Sequence, residues 1–179
     1  MKQTIKKITM ALLVAGATLL PMHAAVPSAQ SAEERLDRAV RKELLTIPFV
    51  TIFDNLAYRV DGDTIHIYGQ VIRPTIKTQA ANRLAKLEGI RRVDNQIEVL
   101  PLSPFDDRLR VAVARAVYGQ PALNRYALGA NPSIRIIVKN GNVTLEGVVN
   151  NAGERNIANL QANSVAGVFS VTNNLHVER

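Results

Sequence analysis

The sequence predicts an α+β protein of two tandem αββαβ domains, each a three-stranded mixed sheet with two helices packed on one face. Three observations carry that expectation. An offset of 78 lays residues 65–99 on 143–177 without a gap, pairing Gly69 with Gly147, Ala80 with Ala158, Gly89 with Gly167, Asn95 with Asn173 and Val99 with Val177. Self-similarity at a fixed spacing marks repeated structural units. Each copy also holds two strand-like runs separated by a glycine-containing turn, and apolar residues at helical spacing precede and follow those runs. The expected domains are residues 31–100 and 101–179.

The first helix of each copy opens on a hydroxyl residue with an acid three places on, Ser31 with Glu34 and Ser103 with Asp106. In such a pair the hydroxyl accepts from the amide three residues on, and the acid reaches back to the amide of the cap. Pro104 suits the first helical position of the second copy, where its missing amide hydrogen costs nothing. Leu36, Val40 and Leu44, then Leu109, Val113, Ala116 and Val117, recur at helical spacing, and Pro48 and Pro121 lie just beyond. Here the best offset is 73, so the second copy carries five extra residues within 124–132.

Strands are expected at residues 56–60 and 64–72 in the first copy, and at 134–138 and 142–149 in the second. The turns Asp61-Gly62-Asp63 and Lys139-Asn140-Gly141 carry Asp-Gly and Asn-Gly pairs. These predict tight hairpins in which both central residues have positive φ. Alternation puts Ile65, Ile67, Gly69 and Val71 on one face, matched by Val143, Leu145, Gly147 and Val149. The two inward glycines are expected to let a helix approach the sheet closely. A second helix follows at 75–87 and 154–165, with Gly89 and Gly167 as the left-handed residues that close it. Final strands at 93–99 and 169–177 should return parallel to the preceding strand through a right-handed crossover.

Composition bounds what such a chain can do. With 47% apolar and 21% charged side chains in 179 residues it is a globular protein. Each copy sits near the lower size limit for an independent core and must bury apolar surface efficiently. Aromatics make up 4% and tryptophan is absent, so that core is aliphatic. The net charge is +7, and setting aside Lys2, Lys6 and Lys7 leaves about +4. Residues 33–100 hold 11 basic and 10 acidic side chains, residues 101–179 hold 8 and 5, so only the second copy is appreciably cationic. That excess attracts anionic surfaces without selecting among them. The absence of cysteine excludes disulfides, thiolate metal sites, cysteine catalysis and a lipid-modified cysteine.

Residues 1–7 are basic, residues 8–20 are an unbroken run of apolar and small side chains, and Pro21 ends the run ahead of small residues. This pattern predicts a secretory signal peptide over residues 1–24, cleaved after Ala24 or at a later site near Ser31. A thirteen-residue helix spans about 20 Å, short of the roughly 30 Å hydrocarbon core, so cleavage is expected rather than anchoring. The expected location is the periplasm, without a lipid anchor.

The run Ser133-Ile-Arg-Ile-Ile-Val-Lys-Asn-Gly-Asn-Val-Thr-Leu-Glu-Gly-Val-Val149, with Ala166-Gly167-Val168 and Val171-Thr-Asn-Asn-Leu175, resembles the BON domain, named for bacterial OsmY and nodulation proteins. The first copy resembles it through Ile65-His-Ile-Tyr-Gly-Gln-Val71, Leu87-Glu-Gly-Ile90 and Val93-Asp-Asn-Gln-Ile97. The two-copy, OsmY-like periplasmic members are the nearest in organisation. The resemblance implies an αββαβ fold, an envelope location, and roles in binding anionic phospholipid, supporting envelope integrity under stress or acting as a periplasmic chaperone. It implies no catalytic residues.

Catalysis would need a nucleophile, base or metal cluster held together by the fold, and the sequence offers none. No enzyme activity, cofactor, metal or nucleic-acid partner is expected. His66 and His176 are not reproduced in the other copy, where Thr144 and Glu98 stand, and Asp61 and Asp63 read as turn residues. One binding surface emerges from the spacing. With Leu109, Val113 and Val117 facing the core, Arg108, Val111 and Arg115 share another face of the helix, with Tyr118 near its end and Arg125 beyond. An anionic bilayer would attract the arginines, and the ring of Tyr118 could lie at headgroup level. Arg91 and Arg92 form a second basic pair, read as solvated. The open sheet faces, with His66, Tyr68 and Gln70 against Thr144, Glu146 and Val148, are available to a neighbouring domain, a second chain or periplasmic client proteins.

Overall fold

The computed structural model describes residues 29–129 and 131–178; the leader expected over residues 1–24 lies outside them. The element order α-β-β-α-β occurs twice. The first half comprises α1 (Ala29–Leu45), β1 (Asn55–Asp61), β2 (Thr64–Val71), α2 (Pro74–Leu84) and β3 (Arg92–Val99). The second comprises α3 (Pro104–Tyr118), a short 3-10 turn (Asn124–Ala127), β4 (Ile134–Lys139), β5 (Asn142–Val149), α4 (Ala152–Asn163) and β6 (Ser170–Val177). The strands form two three-stranded sheets, ordered β1-β2-β3 and β4-β5-β6. Each hairpin is antiparallel, and each last strand joins the central one in parallel, as the crossover rule requires.

Each half buries its own aliphatic cluster. Val40 and Leu44 of α1 and Ile76, Ala80 and Leu84 of α2 meet Ile65, Ile67 and Val71 of β2. In the second half Leu109, Val113 and Val117 of α3 and Ala158 and Ala162 of α4 meet Ile134, Ile136 and Val138 of β4 and Val143, Leu145 and Val149 of β5. A fully buried side chain of this kind contributes roughly 1.5–3 kcal/mol, which is how so small a unit holds together. One polar residue enters the sheet face beneath the helices in both halves. Asn95 donates from Nδ2 to the Lys77 carbonyl at 2.9 Å and accepts from the Ile97 amide at 3.2 Å. Asn173 repeats this with Arg155 and Leu175 at the same two distances.

Local expectations are met in part. Ser103 caps α3 through a 3.1 Å bond from the Asp106 amide, with Pro104 first in the helix. The acid does not reach back. Asp106 is fully buried and accepts from the amides of Asn140 (2.8 Å) and Gly141 (2.9 Å), tying the helix start to the β4–β5 turn. The first helix does not start at Ser31 as expected, because α1 already runs at Ala29. In the second hairpin Asn140 (φ 51°) and Gly141 (φ 76°) are both positive as expected. In the first, Asp61 pairs with Thr64, so the loop is Gly62-Asp63 and only Gly62 (φ 60°) is positive.

The glycines correct the reading more sharply. Gly69 and Gly147 have φ of 120° and 122°, and a Cβ there would lie 2.1 Å from the Asn55 carbonyl oxygen and 1.8 Å from that of Ser133. The backbone of the adjacent strand excludes a side chain; no helix is involved. Gly89 and Gly167 do adopt positive φ (84° and 93°), but α2 ends at Leu84 and α4 at Asn163. The glycines serve the following turns, closed by the Ile90 amide on the Leu87 carbonyl and the Val168 amide on the Val165 carbonyl. A positive φ at the third position of such a turn favours glycine.

A loop of the first half fastens the two halves together. After α1 the chain reverses at Phe49 (φ 67°) and runs past the outer edge of β4, where the Ile136 amide donates to the Ile52 carbonyl at 2.8 Å. Arg135 Nη1 donates to the Thr51 carbonyl at 3.0 Å, and Phe53 packs against the second core. Buried Asp54 shapes this loop by accepting from the Thr51 amide and hydroxyl (both 2.8 Å) and the Ile72 amide (2.7 Å). Lys139 and Glu98 pair across the halves at 2.5 Å. Ile137 lies on the sheet face opposite the helices, between Arg135 and Lys139, and is only 4% exposed.

Candidate functional site

The serine cap, Pro104 and two acids in the first turn start α3 and complement its dipole. Because Leu109, Val113 and Val117 are committed to the core, Arg108, Val111 and Arg115 point outward, and with Asp107 and Ala112 they line one shallow surface groove. Among the described residues neither Arg108 nor Arg115 enters an ion pair. Val111 between them is 44% exposed. Three of the five expected binding residues therefore come together.

Tyr118 and Arg125 do not join them. Tyr118 is half-buried, and its hydroxyl donates to the Ile134 carbonyl at 2.6 Å. Burial pushes that hydroxyl's pKa up to about 12. One turn beyond Arg115, the helix has rotated this position toward the edge of β4, away from solvent. Arg125 is held by the carboxylate of Glu154, and its guanidinium lies 5.0 Å over the Tyr126 ring. Both residues belong to a cluster made by the extra residues of the second half. The Tyr126 hydroxyl donates to Glu154, which also accepts from the Asn150 amide at 3.1 Å. Tyr126, the Asn150 amide and Arg125 together hold the Glu154 carboxyl below the usual carboxylate range.

An exposed aromatic residue on the same helix is Phe105, one turn before Arg108. It is 39% exposed and stacks at 6.1 Å, tilted by 30°, on Phe169, which is 74% exposed. Offset aromatic pairs of this kind are mutually attractive. A Cβ on Gly167 would stand 3.3 Å from the Phe105 ring, and one on Gly141 would stand 2.6 Å from that of Phe169, so two turn glycines make room for the pair. Sequence reading missed it because Phe169 follows α4 by several residues and meets Phe105 only in the fold. The available signal was the placement of two of four phenylalanines at the start of a helix and the start of a strand.

Residues 107–179 match the model of the BON domain. Arg108, Val111 and Arg115 lie inside the BON domain, as does Phe169, while Phe105 lies two residues before it. No curated protein matches the chain. Among solved structures the chain is similar to the C-terminal domain of CdsD, a structural protein of the type III secretion system of Chlamydia trachomatis. Identity there is 11% over 80% of this chain and 98% of that one, with a TM-score of 0.33. A second structure of CdsD gives 12% identity over 80% of this chain and 92% of that one, again with a TM-score of 0.33.

Outside the BON domain, Arg91 is solvated as expected, and it also pairs with Asp63 of the β1–β2 turn and holds that carboxyl below its usual range. His66 Nδ1 stands 3.0 Å from Asp94 on the open face of the first sheet. Hydrogen bonds from Gln96 and from His66 keep Asp94 below the usual range as well. Among the described residues no group of three His, Asp or Glu side chains is placed to hold a metal ion, and no helix is long and apolar enough to cross a membrane.

Proposed function

We propose that both halves are BON modules of one exported, non-enzymatic envelope protein, and that it binds anionic phospholipid surfaces through the α3 face of the second half. The observation that carries this reading is Arg108 and Arg115 astride exposed Val111, with the exposed Phe105–Phe169 pair at the N-terminal end of the same helix. BON domains are associated with membrane and phospholipid binding, and Arg108, Val111 and Arg115 lie in the matched stretch. Each arginine near anionic headgroups contributes about 1 kcal/mol, and rings lying at headgroup level add apolar burial. Two arginines and two rings suit reversible adsorption rather than anchoring. The basic start and apolar run over residues 1–20 support export, which would place the face in the periplasm.

Flotation of the chain lacking residues 1–24, with neutral vesicles and with vesicles containing phosphatidylglycerol, at two salt concentrations, tests this. Binding is expected only with the anionic vesicles and should weaken at high salt. Arg108→Ala/Arg115→Ala should lose it, and equal flotation of variant and wild type would remove the site. Suppression of client-protein aggregation without lipid dependence would instead support a chaperone or scaffold.

A further inference from the structure

From the charges beneath the α3 face we infer that Arg110 is a positioning residue: it neutralises Asp107 from inside, so that Arg108 and Arg115 set the net charge offered to an anionic surface. The inference rests on the lipid-surface reading above. Arg110 is only 2% exposed. Its Nη1 bonds the Asp107 carboxylate and its Nη2 donates to the Val138 carbonyl at 2.8 Å, while its Nε has no partner among the described residues. A guanidinium buried this deeply is a costly way to fasten a helix to a strand, since an apolar side chain of similar volume would do so without the desolvation penalty. What it does achieve is electrostatic.

Asp107 is the one acid lining the groove with Arg108, Val111, Ala112 and Arg115, and its side chain is 62% exposed. Alone it would cancel one arginine toward an approaching anionic surface. With Arg110 directly behind it the pair sums to zero, so Asp107 no longer cancels an arginine of the face, while the buried Asp106 carboxylate is bound by the Asn140 and Gly141 amides. The first half lacks this device. At the positions of Asp107 and Arg110, offset by 73, it has Glu34 and Asp37, and Glu34 meets exposed Arg38 at 3.9 Å.

The test measures partition of the full mature chain onto phosphatidylglycerol vesicles as a function of salt, with circular dichroism and thermal melting as controls on folding. Arg110→Met keeps the volume and removes the charge. Its partition should fall about fivefold, the factor for one unit charge at such a surface, with a shallower salt dependence, although Arg110 itself does not reach lipid. Asp107→Asn should raise partition about fivefold, since it removes the negative charge and keeps the guanidinium, Asp107→Asn/Arg110→Met should return to the wild-type value, and Arg110→Lys should bind as wild type. A folded Arg110→Met with wild-type partition, an Asp107→Asn that changes nothing, or a double variant that stays weak would each overturn the assignment. Wild-type protein that ignores anionic vesicles would instead remove the lipid reading, a result distinct from wild type that binds and variants that do not respond.

Discussion

At the third residue of its second helix each half buries a side chain of opposite chemistry, Ile76 in α2 and Glu154 in α4, which are equivalent at the offset of 78. Ile76 packs into the first core, and α2 begins at Arg73 without a side-chain cap. Glu154 sits under Tyr126 and Arg125, which the extra residues of the second half supply, and α4 is capped by Asn151. The same divergence occurs at the hairpin end. The amides of Arg91 and Phe169 both donate at 2.9 Å to a turn carbonyl, that of Asp63 or Gly141. Arg91 then closes an ion pair, whereas Phe169 presents a ring to solvent beside Phe105. The repeated glycines, the buried aliphatic residues and the Asn95/Asn173 bonds hold one backbone frame. Positions that the frame does not constrain carry the chemistry: the second half sets Arg108 and Arg115 on one helix with the exposed Phe105–Phe169 pair, whereas in the first half Arg73 lies over the exposed Phe49 ring.

The shared frame predicts the largest effects. Gly69→Ala and Gly147→Ala should each cost at least about 3 kcal/mol, since both add backbone strain and a clash with a carbonyl; urea unfolding that finds one tolerated would break the equivalence of the halves. Asp106→Ala strands two turn amides and should cost about 2–3 kcal/mol, against less than about 0.5 for exposed Glu33→Ala at the equivalent place. Phe53→Ala removes the first half's contribution to the second core and should cost about 2 kcal/mol. Hydrogen exchange should then show faster opening of the Ile136 amide.

Acid sharpens the contrast between Ile76 and Glu154. The folded-state pKa of Glu154 is depressed, so its stabilisation is fully present above the ordinary carboxylate pKa and is lost as pH falls from about 4 through the folded value. Melting of the wild type between pH 6 and pH 3 should show this loss, and Glu154→Gln should be flatter. A small effect is also expected at the half-exposed Lys139–Glu98 pair, where Lys139→Ala should shift stability by less than about 1 kcal/mol.

What was legible in the sequence follows from locality. The Asn140-Gly141 turn, the Ser103 cap and the parallel return of the last strands depend on a few neighbouring residues or on chain handedness, and they can be read directly. Arg108, Val111 and Arg115 were legible because a core face fixes the opposite face of a helix. Tyr118 was not, since its orientation depends on the edge of β4 lying alongside. Glu154 reads as an ordinary first-turn acid until Tyr126 folds back over it, and nothing local announces that Phe53 crosses to the other core.

A matched pair of variants separates binding through the α3 face from attraction by general positive charge. Arg35 and Lys42 of α1 stand at the positions of Arg108 and Arg115 in the repeat and are likewise exposed. Vesicle partition should collapse for Arg108→Ala/Arg115→Ala and stay near wild type for Arg35→Ala/Lys42→Ala, although both lose the same charge. Equal losses from the two variants would mean that total charge, and not the α3 face, drives partition.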